Sequence, residues 1–83
     1  MKIQLRYFAS LREALGASEE IQLPEASTVG ALRDLLLARG GRHAELLARS
    51  RAVRCALNQV LCDESAVLSD GAEVAFFPPV TGG

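Results

Sequence analysis

Hydrophobic and polar residues alternate from the start of the chain. Over residues 2–8 the alternation places Ile3, Leu5 and Tyr7 on one face. The other face carries Lys2, Gln4, Arg6 and Phe8. Since successive side chains of a strand point to opposite faces, this pattern predicts a half-buried first strand. A short helix is predicted at residues 10–15, ended by Gly16, and a second alternating strand at 20–23, ended by Pro24.

The longest helical pattern follows this second strand. Ser27 or Thr28 can cap a helix, and Gly40-Gly41 is predicted to end it. Its apolar positions recur with the spacing of one helix face and are Val29, Leu32, Leu35 and Leu36. Gly30, in the first turn, costs up to about 1 kcal/mol relative to alanine. A second, shorter helix is predicted at residues 43–49.

Short apolar segments in the C-terminal half predict three more strands. Residues 53–57 and 60–62 are predicted to pair as a hairpin around the turn Asn58-Gln59. A last strand at 73–77 follows the turn Asp70-Gly71. Its alternation is predicted to divide the side chains between the two faces as Val74 and Phe76 against Ala75 and Phe77.

The order of these elements predicts an α+β domain. Two strands, a helix, a hairpin and a final strand are typical of the β-grasp (ubiquitin-like) fold, with a small mixed sheet packed on one main helix. The domain is predicted to span residues 1–77. Pro78-Pro79 ends the last strand because neither proline has an amide hydrogen for a sheet ladder, and residues 78–83 are predicted to form an extended C-terminal tail.

Composition narrows the function classes. With 83 residues, 49% hydrophobic and 23% charged, the chain is predicted to be one globular domain, too small for a deep active site of its own. A formal net charge of −1 gives no field to attract nucleic acid, and no apolar run approaches the roughly 20 residues that span a bilayer. The N-terminus lacks the apolar segment of a secretory signal, so we expect a cytoplasmic location, no nucleic acid and no membrane.

No residue pattern in the chain is typical of a catalytic or metal site. His43, the only histidine, has no ligand at metal spacing and is predicted to lie on a solvated helix, so no metal is expected. Cys55 and Cys62 form neither a C-x-x-C motif nor a disulfide framework and are predicted to be small buried side chains that remain thiols. Five arginines are predicted to form a solvated face: Arg39, Arg42, Arg49, Arg51 and Arg54.

The four aromatic residues occur as adjacent pairs in the first and last predicted strands. Period-two geometry divides each pair between the two faces of the sheet. If Tyr7 and Phe76 face the core, Phe8 and Phe77 share the outer face, where an exposed aromatic patch favours a protein partner. The alternative is that loops cover these two rings.

The predicted tail carries the sharpest functional signal. Its six residues, 78–83, reach roughly 20 Å when extended, enough to enter a cleft of another protein. Gly82-Gly83 has no side chains and can present the terminal carboxylate through a narrow channel. A carboxylate is a poor electrophile, so its use requires activation by another protein, most simply as an acyl-adenylate made from ATP, because the chain lacks a phosphate-binding loop. The alternative is an ordinary frayed terminus.

Residues 70–83, DGAEVAFFPPVTGG, closely resemble the C-terminal signature of the small subunits of molybdopterin synthase (MoaD), within the ThiS/MoaD-type family of sulfur carriers. The similarity extends to Tyr7-Phe8-Ala9, Leu11-Arg12-Glu13, residues 28–33 and residues 58–61. It is weakest over residues 39–52. Gly30 departs from the family, in which an acidic residue is more usual at that position.

The resemblance implies a chemistry for the C-terminus. An adenylating enzyme similar to ubiquitin-activating enzymes would couple Gly83 to AMP, consuming ATP, and sulfur from a sulfurtransferase would displace AMP to give a C-terminal thiocarboxylate. The thiocarboxylate would donate sulfur to cyclic pyranopterin monophosphate in molybdenum cofactor biosynthesis. The chain would hold no permanent cofactor and would be the non-catalytic, sulfur-donating subunit of the synthase, a sulfurtransferase complex.

The resemblance also implies partners and contact residues. The synthase of this family is a heterotetramer of two large and two small subunits. Phe8, Leu61 and Phe77 match the family positions that form the hydrophobic contact with the large subunit and with the adenylating enzyme. The residues expected inside a partner's channel are Pro78, Pro79, Val80, Thr81 and Gly82. Three alternatives stay open: a sulfur carrier for thiazole synthesis, amino-acid synthesis or tRNA thiolation; a ubiquitin-like modifier joined through Gly83 to a lysine; and an interaction module with an inert tail.

Overall fold

A computed structural model of the chain describes residues 1–79. The predicted tail positions Val80, Thr81, Gly82 and Gly83 therefore lie outside the described residues. In chain order the elements are β1 (Lys2–Tyr7), α1 (Ala9–Leu15), β2 (Ser18–Gln22), α2 (Val29–Leu37), α3 (Gly41–Leu46), β3 (Arg54–Leu57), β4 (Val60–Cys62) and β5 (Glu73–Phe77). The strands form one sheet in the order β2-β1-β5-β3-β4.

The centre of the sheet is a parallel pair formed by the first and last strands. In β1 and β5, Leu5 lies opposite Val74 and Tyr7 opposite Phe76. The other three pairings are antiparallel, so the sheet is mixed. Since parallel strands end at the same edge, Phe8 and Pro78 leave the sheet side by side. The predicted α+β, β-grasp architecture is confirmed.

One face of the sheet is covered by the helices and forms the core. Tyr7 and Phe76 are its largest fully buried side chains, with relative exposures of 1% each. The remaining core residues come from the same face of each strand and from the helices, and include Ile3, Leu5, Val29, Leu32, Leu36, Leu47 and Val74. The predicted division of β1 and of the aromatic pairs between two faces is confirmed.

Helix α2 departs from its predicted apolar stripe at two residues. The Thr28 side chain caps it as predicted, because its Oγ1 accepts a hydrogen bond from the Ala31 amide at 3.1 Å. Leu35 was expected in the stripe, but it is 42% exposed, whereas Arg33 is only 4% exposed. The buried face is therefore rotated toward Arg33, whose guanidinium finds acceptors among segments far along the chain.

The segment after α2 also differs from the prediction. The helix ends at Leu37, before the glycine pair that was expected to end it. Gly40 instead caps the start of α3, which runs over Gly41–Leu46 rather than 43–49. Leu47, the residue after the helix, is fully buried in the core.

Close packing explains the glycine at position 30. Its amide donates a hydrogen bond to the Glu64 carbonyl oxygen at 2.9 Å. A Cβ at this position would lie 3.2 Å from the same oxygen, closer than an ordinary van der Waals contact. A glycine at position 30 therefore lowers the helix propensity of α2 but allows the loop at Glu64 to pack closely against the helix.

The β3–β4 turn is formed by two residues with left-handed backbones, Asn58 at φ 49° and Gln59 at φ 67°. Such turns match the twist of a two-residue hairpin, although asparagine followed by glycine is the commoner sequence. Two hydrogen bonds to β5 stabilise Asn58 in this turn. Its amide donates to the Glu73 carbonyl at 2.8 Å, and its Oδ1 accepts from the Glu73 amide at 2.9 Å. The predicted hairpin is confirmed.

An ion-pair cluster joins the edge strand β2 to the helical layer. Glu19 accepts hydrogen bonds from Arg39 Nη1 at 3.0 Å and from the Tyr7 hydroxyl at 3.3 Å. The hydrogen bond from Arg39 holds the pKa of Glu19 below its usual range, and burial raises the pKa of Tyr7 above its usual value. His43 lies beside this pair, with Nε2 4.0 Å from a Glu19 oxygen.

The depressed pKa of Glu19 predicts a pH-dependent contribution to stability. A carboxylate with a lowered folded-state pKa stabilises above its unfolded pKa of about 4.3, and loses this contribution as pH falls through the folded value. We expect wild type to exceed E19Q in unfolding free energy by up to about 1 kcal/mol at pH 7, and the difference to shrink as pH falls through the lowered pKa of Glu19, measured by urea denaturation. E45Q, at an exposed α3 position, is the matched control; an E19Q difference that is constant with pH contradicts the assignment.

Candidate functional site

A groove of about 430 Å³ lies on the face of the sheet opposite the helices. We call it the open-face groove. Its floor is formed by Ala56 and Ala75, and its wall at the tail end by Phe8, Phe77 and Pro78. The floor alanines are only 8% and 7% exposed although they lie on the outer face. Small side chains between large ones thus create a concave apolar surface.

Strand register produces this combination of small and large side chains. Ala75 of β5 lies between Ala56 of β3 and Arg6 of β1 in one row across the sheet. Two residues further along β5 on the same face is Phe77, opposite Arg54. Since side chains two apart on a strand share a face, the Phe77 ring lies next to the small side chain of Ala75 on the groove face.

Leu61 lies beside the groove rather than in it. It is directly opposite Ala56 in the β3–β4 ladder and is 62% exposed. The apolar surface therefore continues from the groove floor to the edge strand β4. The three predicted contact residues share one face of the sheet. Phe8, which is 37% exposed, and Phe77 lie at the tail end of the groove, and Leu61 lies at the sheet edge.

The rim of the groove is charged although its floor is apolar. Arg6 Nη1 lies 3.7 Å from a Glu73 carboxylate oxygen, and both residues line the groove. The Arg6 guanidinium carbon also lies 5.3 Å from the centre of the Phe8 ring, within the range of a cation–π contact. Arg6 therefore holds the Phe8 ring at the wall while leaving part of it exposed.

The path of the chain out of the sheet is fixed beside Phe8. The Phe8 amide donates a hydrogen bond to the Phe76 carbonyl at 3.2 Å, which extends the β1–β5 pairing to the end of β5. Pro78 lines the open-face groove and also a second cleft of about 190 Å³ that contains Ser10 and Arg51. The described chain therefore ends, at Pro79, directly next to the groove.

The remaining candidate residues are His43 and the two cysteines. His43 was expected to be solvated, but its side chain is only 22% exposed because it packs edge-on against Tyr7 at 6.4 Å between ring centres. Cys55 is buried as predicted, whereas Cys62 is only half buried. Within residues 1–79, no cluster of His, Cys, Asp or Glu could hold a metal ion, and no helix is long and apolar enough to cross a membrane.

The five arginines predicted on a solvated face are all exposed. Two of them nevertheless take part in ion pairs. Arg39 binds Glu19 at 2.8 Å, and Arg49 contacts both Asp34, at 2.7 Å, and Glu64. The Arg39 pair connects the loop after α2 to β2, and the Arg49 pair with Asp34 connects α2 to the segment after α3.

Comparison with known proteins places the chain in a family. Residues 5–83 match the ThiS family. The chain belongs to the ThiS family. It is 41% identical over 81 residues to the molybdopterin synthase sulfur carrier subunit of Escherichia coli K12, covering 98% of this chain and 99% of that protein. The resemblance inferred from the tail signature is confirmed.

Solved structures of similar proteins share the fold. The putative molybdopterin converting factor subunit 1 from Pyrococcus furiosus superposes with a TM-score of 0.78 at 30% identity, covering 96% of this chain and 99% of that one. A chain in the complex of subunits 1 and 2 of the molybdopterin-converting factor from Helicobacter pylori 26695 gives a TM-score of 0.70 at 26% identity, with both chains fully covered.

Within this ThiS-family domain, sequence reasoning identified the aromatic wall of the groove but not its floor. Ala56 and Ala75 give no distinctive signal, because alanine is common in cores and on surfaces. They form the groove floor only because the register of β3 and β5 places them side by side. The one available signal was the alternation of Ala75 with Phe77 on the same face of the last strand.

Proposed function

We propose that this chain is the sulfur carrier subunit of a molybdopterin synthase. The observation that carries the proposal is the open-face groove, whose wall residues Phe8, Phe77 and Pro78 lie where β5 passes into the tail. A partner that binds this groove also receives the C-terminal residues. Membership in the ThiS family and the 41% identity to the E. coli carrier support the same function.

The proposed chemistry belongs to the carboxylate of Gly83. An adenylating enzyme of the ubiquitin-activating type transfers AMP from ATP to this carboxylate, which makes the acyl carbon electrophilic. Sulfur supplied by a sulfurtransferase at the oxidation level of sulfide then attacks this carbon, AMP departs as the leaving group, and a thiocarboxylate remains. The thiocarboxylate sulfur is soft and ionised at neutral pH, so it can attack a carbon of cyclic pyranopterin monophosphate, and two carriers provide the two sulfurs of each dithiolene.

In the proposed complexes the domain binds the partner protein and the tail enters the partner's channel. Phe8, Phe77 and Leu61 bind the large subunit of the synthase and, in turn, the activating enzyme. Pro78, Pro79, Val80, Thr81 and Gly82 occupy the partner's channel, where the last glycines leave room for a narrow path to the reaction centre. The large subunit supplies the catalytic groups in a heterotetramer of two large and two small subunits. The chain itself is a non-catalytic, cytoplasmic component.

Intact mass spectrometry tests the proposal. After incubation with the activating enzyme, ATP and a sulfur donor, we expect the protein to gain the mass of one sulfur minus one oxygen, located on the C-terminal peptide. A variant lacking Gly83 is expected to show no gain. The double variant C55S/C62S should still gain it, which separates a thiocarboxylate from a cysteine persulfide.

Two results would contradict this function. Unchanged mass of the full chain with an active enzyme and donor would exclude the thiocarboxylate. Conjugates to lysines of other proteins that disappear without Gly83, in the absence of any thiocarboxylate, would instead favour a ubiquitin-like modifier.

A further inference from the structure

The two cysteines lie directly opposite each other in the β3–β4 hairpin. Cys55 and Cys62 are paired in the antiparallel register, and their sulfur atoms are 3.7 Å apart. The Cys55 thiol also donates a hydrogen bond to the Cys62 carbonyl oxygen at 3.3 Å. Both cysteines are free thiols in the structure. The sulfur chemistry proposed for Gly83 uses neither of them.

The strand register places the two Cα atoms at a separation that a disulfide can span. Directly opposed residues of an antiparallel pair have Cα atoms about 4.5 to 5.5 Å apart, inside the range of about 4.4 to 6.8 Å found for disulfides. The sulfurs must approach from 3.7 Å to about 2.05 Å, a movement within reach of side-chain rotation. No strand has to change register.

The two thiols differ in access to solvent. Cys55 is 5% exposed between β4 and β5, whereas Cys62 is half buried on β4, an edge strand of the described sheet. Burial, followed by the hydrogen bond and the negative charge of Cys62, raises the pKa of Cys55 to about 12. A reagent in solution therefore meets Cys62 first, and Cys55 is placed to react only with the sulfur beside it.

We propose that Cys55 and Cys62 form a reversible modification site, in which low-molecular-weight disulfides oxidise the pair to an intramolecular disulfide. The Cys62 thiolate attacks one sulfur of glutathione disulfide, forming a mixed disulfide and releasing one glutathione. The Cys55 sulfur then attacks the Cys62 sulfur, and its proton passes to the second glutathione as that thiol leaves. Two protein thiols are oxidised and one small disulfide is reduced to two thiols.

The local chemistry favours the second step once the first has occurred. The mixed disulfide removes the negative charge of Cys62 and alters its hydrogen bond with Cys55, two of the causes that raise the pKa of Cys55. The reacting sulfurs are also held in contact, so the closing step does not depend on the concentration of a second reagent. The link would join β3, which carries the groove floor at Ala56, to β4, which carries Leu61.

Single cysteine variants give an asymmetric test of the proposal. The reduced protein is incubated with glutathione and glutathione disulfide mixtures, quenched with acid, alkylated and measured by intact mass and peptide mapping. Wild type is expected to lose two hydrogen atoms with residues 55 and 62 linked. C55S is expected to accumulate a stable glutathione adduct on Cys62, and C62S to react at least about tenfold more slowly than C55S, because its one thiol is buried.

Thermal unfolding of each variant, with C55A as an alternative to C55S, verifies that the fold is kept. Three outcomes would overturn the proposal: a wild-type protein that accumulates the same stable adduct as C55S, thiols that both stay open to alkylation in oxidising mixtures, or linkage only between molecules. Oxidation that proceeds only in denaturant would also overturn it, since the native geometry would then play no part. The test requires neither the activating enzyme nor Gly83, so it is independent of the proposed function.

Discussion

Replacement of Phe77 by aspartate is expected to weaken binding of the synthase large subunit by at least about a hundredfold. The variant removes an aromatic wall of the open-face groove and places a carboxylate in the proposed interface, which would exclude water. Loss of a central aromatic contact costs about 2 kcal/mol or more, and an unpaired buried charge adds to that cost. A tenfold change in dissociation constant corresponds to about 1.4 kcal/mol. Isothermal titration calorimetry of the two purified subunits measures the effect.

Exposed apolar residues away from the groove provide the control. Val67 is 62% exposed and bridges to Thr28 at the start of α2, in the helical layer. V67D therefore adds the same charge without touching the groove and is expected to bind normally. F77D should unfold cooperatively near the wild-type temperature, because Phe77 lies outside the core cluster. Unchanged binding by F77D would remove the groove from the interface, and global unfolding would assign Phe77 to the core.

The faces of the strands were predictable from sequence because strand geometry is local. A period of two assigns every residue of β1 and β5 to one face once a single residue is placed. Tyr7 and Phe76 therefore entered the core as predicted, and Phe8 and Phe77 came to share the outer face. The family was also recognisable, because residues 70–83 combine a strand, two prolines and a double glycine in one continuous segment.

Features that depend on distant segments were not predictable in the same way. Helical spacing could not decide between Leu35 and Arg33, which flank the buried stripe on its two sides. Arg33 is the buried one because its guanidinium hydrogen-bonds to acceptors at residues 47, 48 and 64, which lie next to α2 only in the folded chain. The groove floor has the same origin, since Ala56 and Ala75 become neighbours through the β3–β5 register.

Arg33 is the buried polar centre that joins these segments. Its Nε donates to the Leu47 carbonyl oxygen at 2.7 Å, and its Nη2 donates to the Ala48 carbonyl oxygen at 2.8 Å. Its Nη1 binds a Glu64 carboxylate oxygen at 2.8 Å. The planar guanidinium thus satisfies acceptors on both the loop after α3 and the loop after β4. In residues 1–79, no buried side-chain nitrogen or oxygen lacks a hydrogen-bond partner.

Replacement of Arg33 by methionine is expected to lower the free energy of unfolding by about 3 kcal/mol. Methionine can fill the space of the aliphatic stem, but it removes the guanidinium's hydrogen bonds to the Leu47 carbonyl oxygen and to the Glu64 carboxylate, at about 1 to 3 kcal/mol each where they are shielded from water. The Ala48 carbonyl oxygen keeps its hydrogen bond from the Arg51 amide and adds little to the loss. R33K should lose a large part of the same stability, because an ammonium cannot reproduce the planar fork that reaches Leu47, Ala48 and Glu64 together.

The comparison variant for R33M is R42M, which removes an exposed arginine that has no ion pair within residues 1–79 and should change stability by less than about 0.5 kcal/mol. Urea denaturation followed by circular dichroism measures the three variants. Equal stabilities of R33M and R42M would show that solvent replaces the lost donors, and that the loops after α3 and β4 hold their positions without the guanidinium. A loss near 3 kcal/mol confined to position 33 would be a large share of the roughly 5 to 15 kcal/mol that stabilises a typical domain. A domain this small would then depend on one buried cation to keep α2 and its neighbouring loops together behind the sheet that presents the groove.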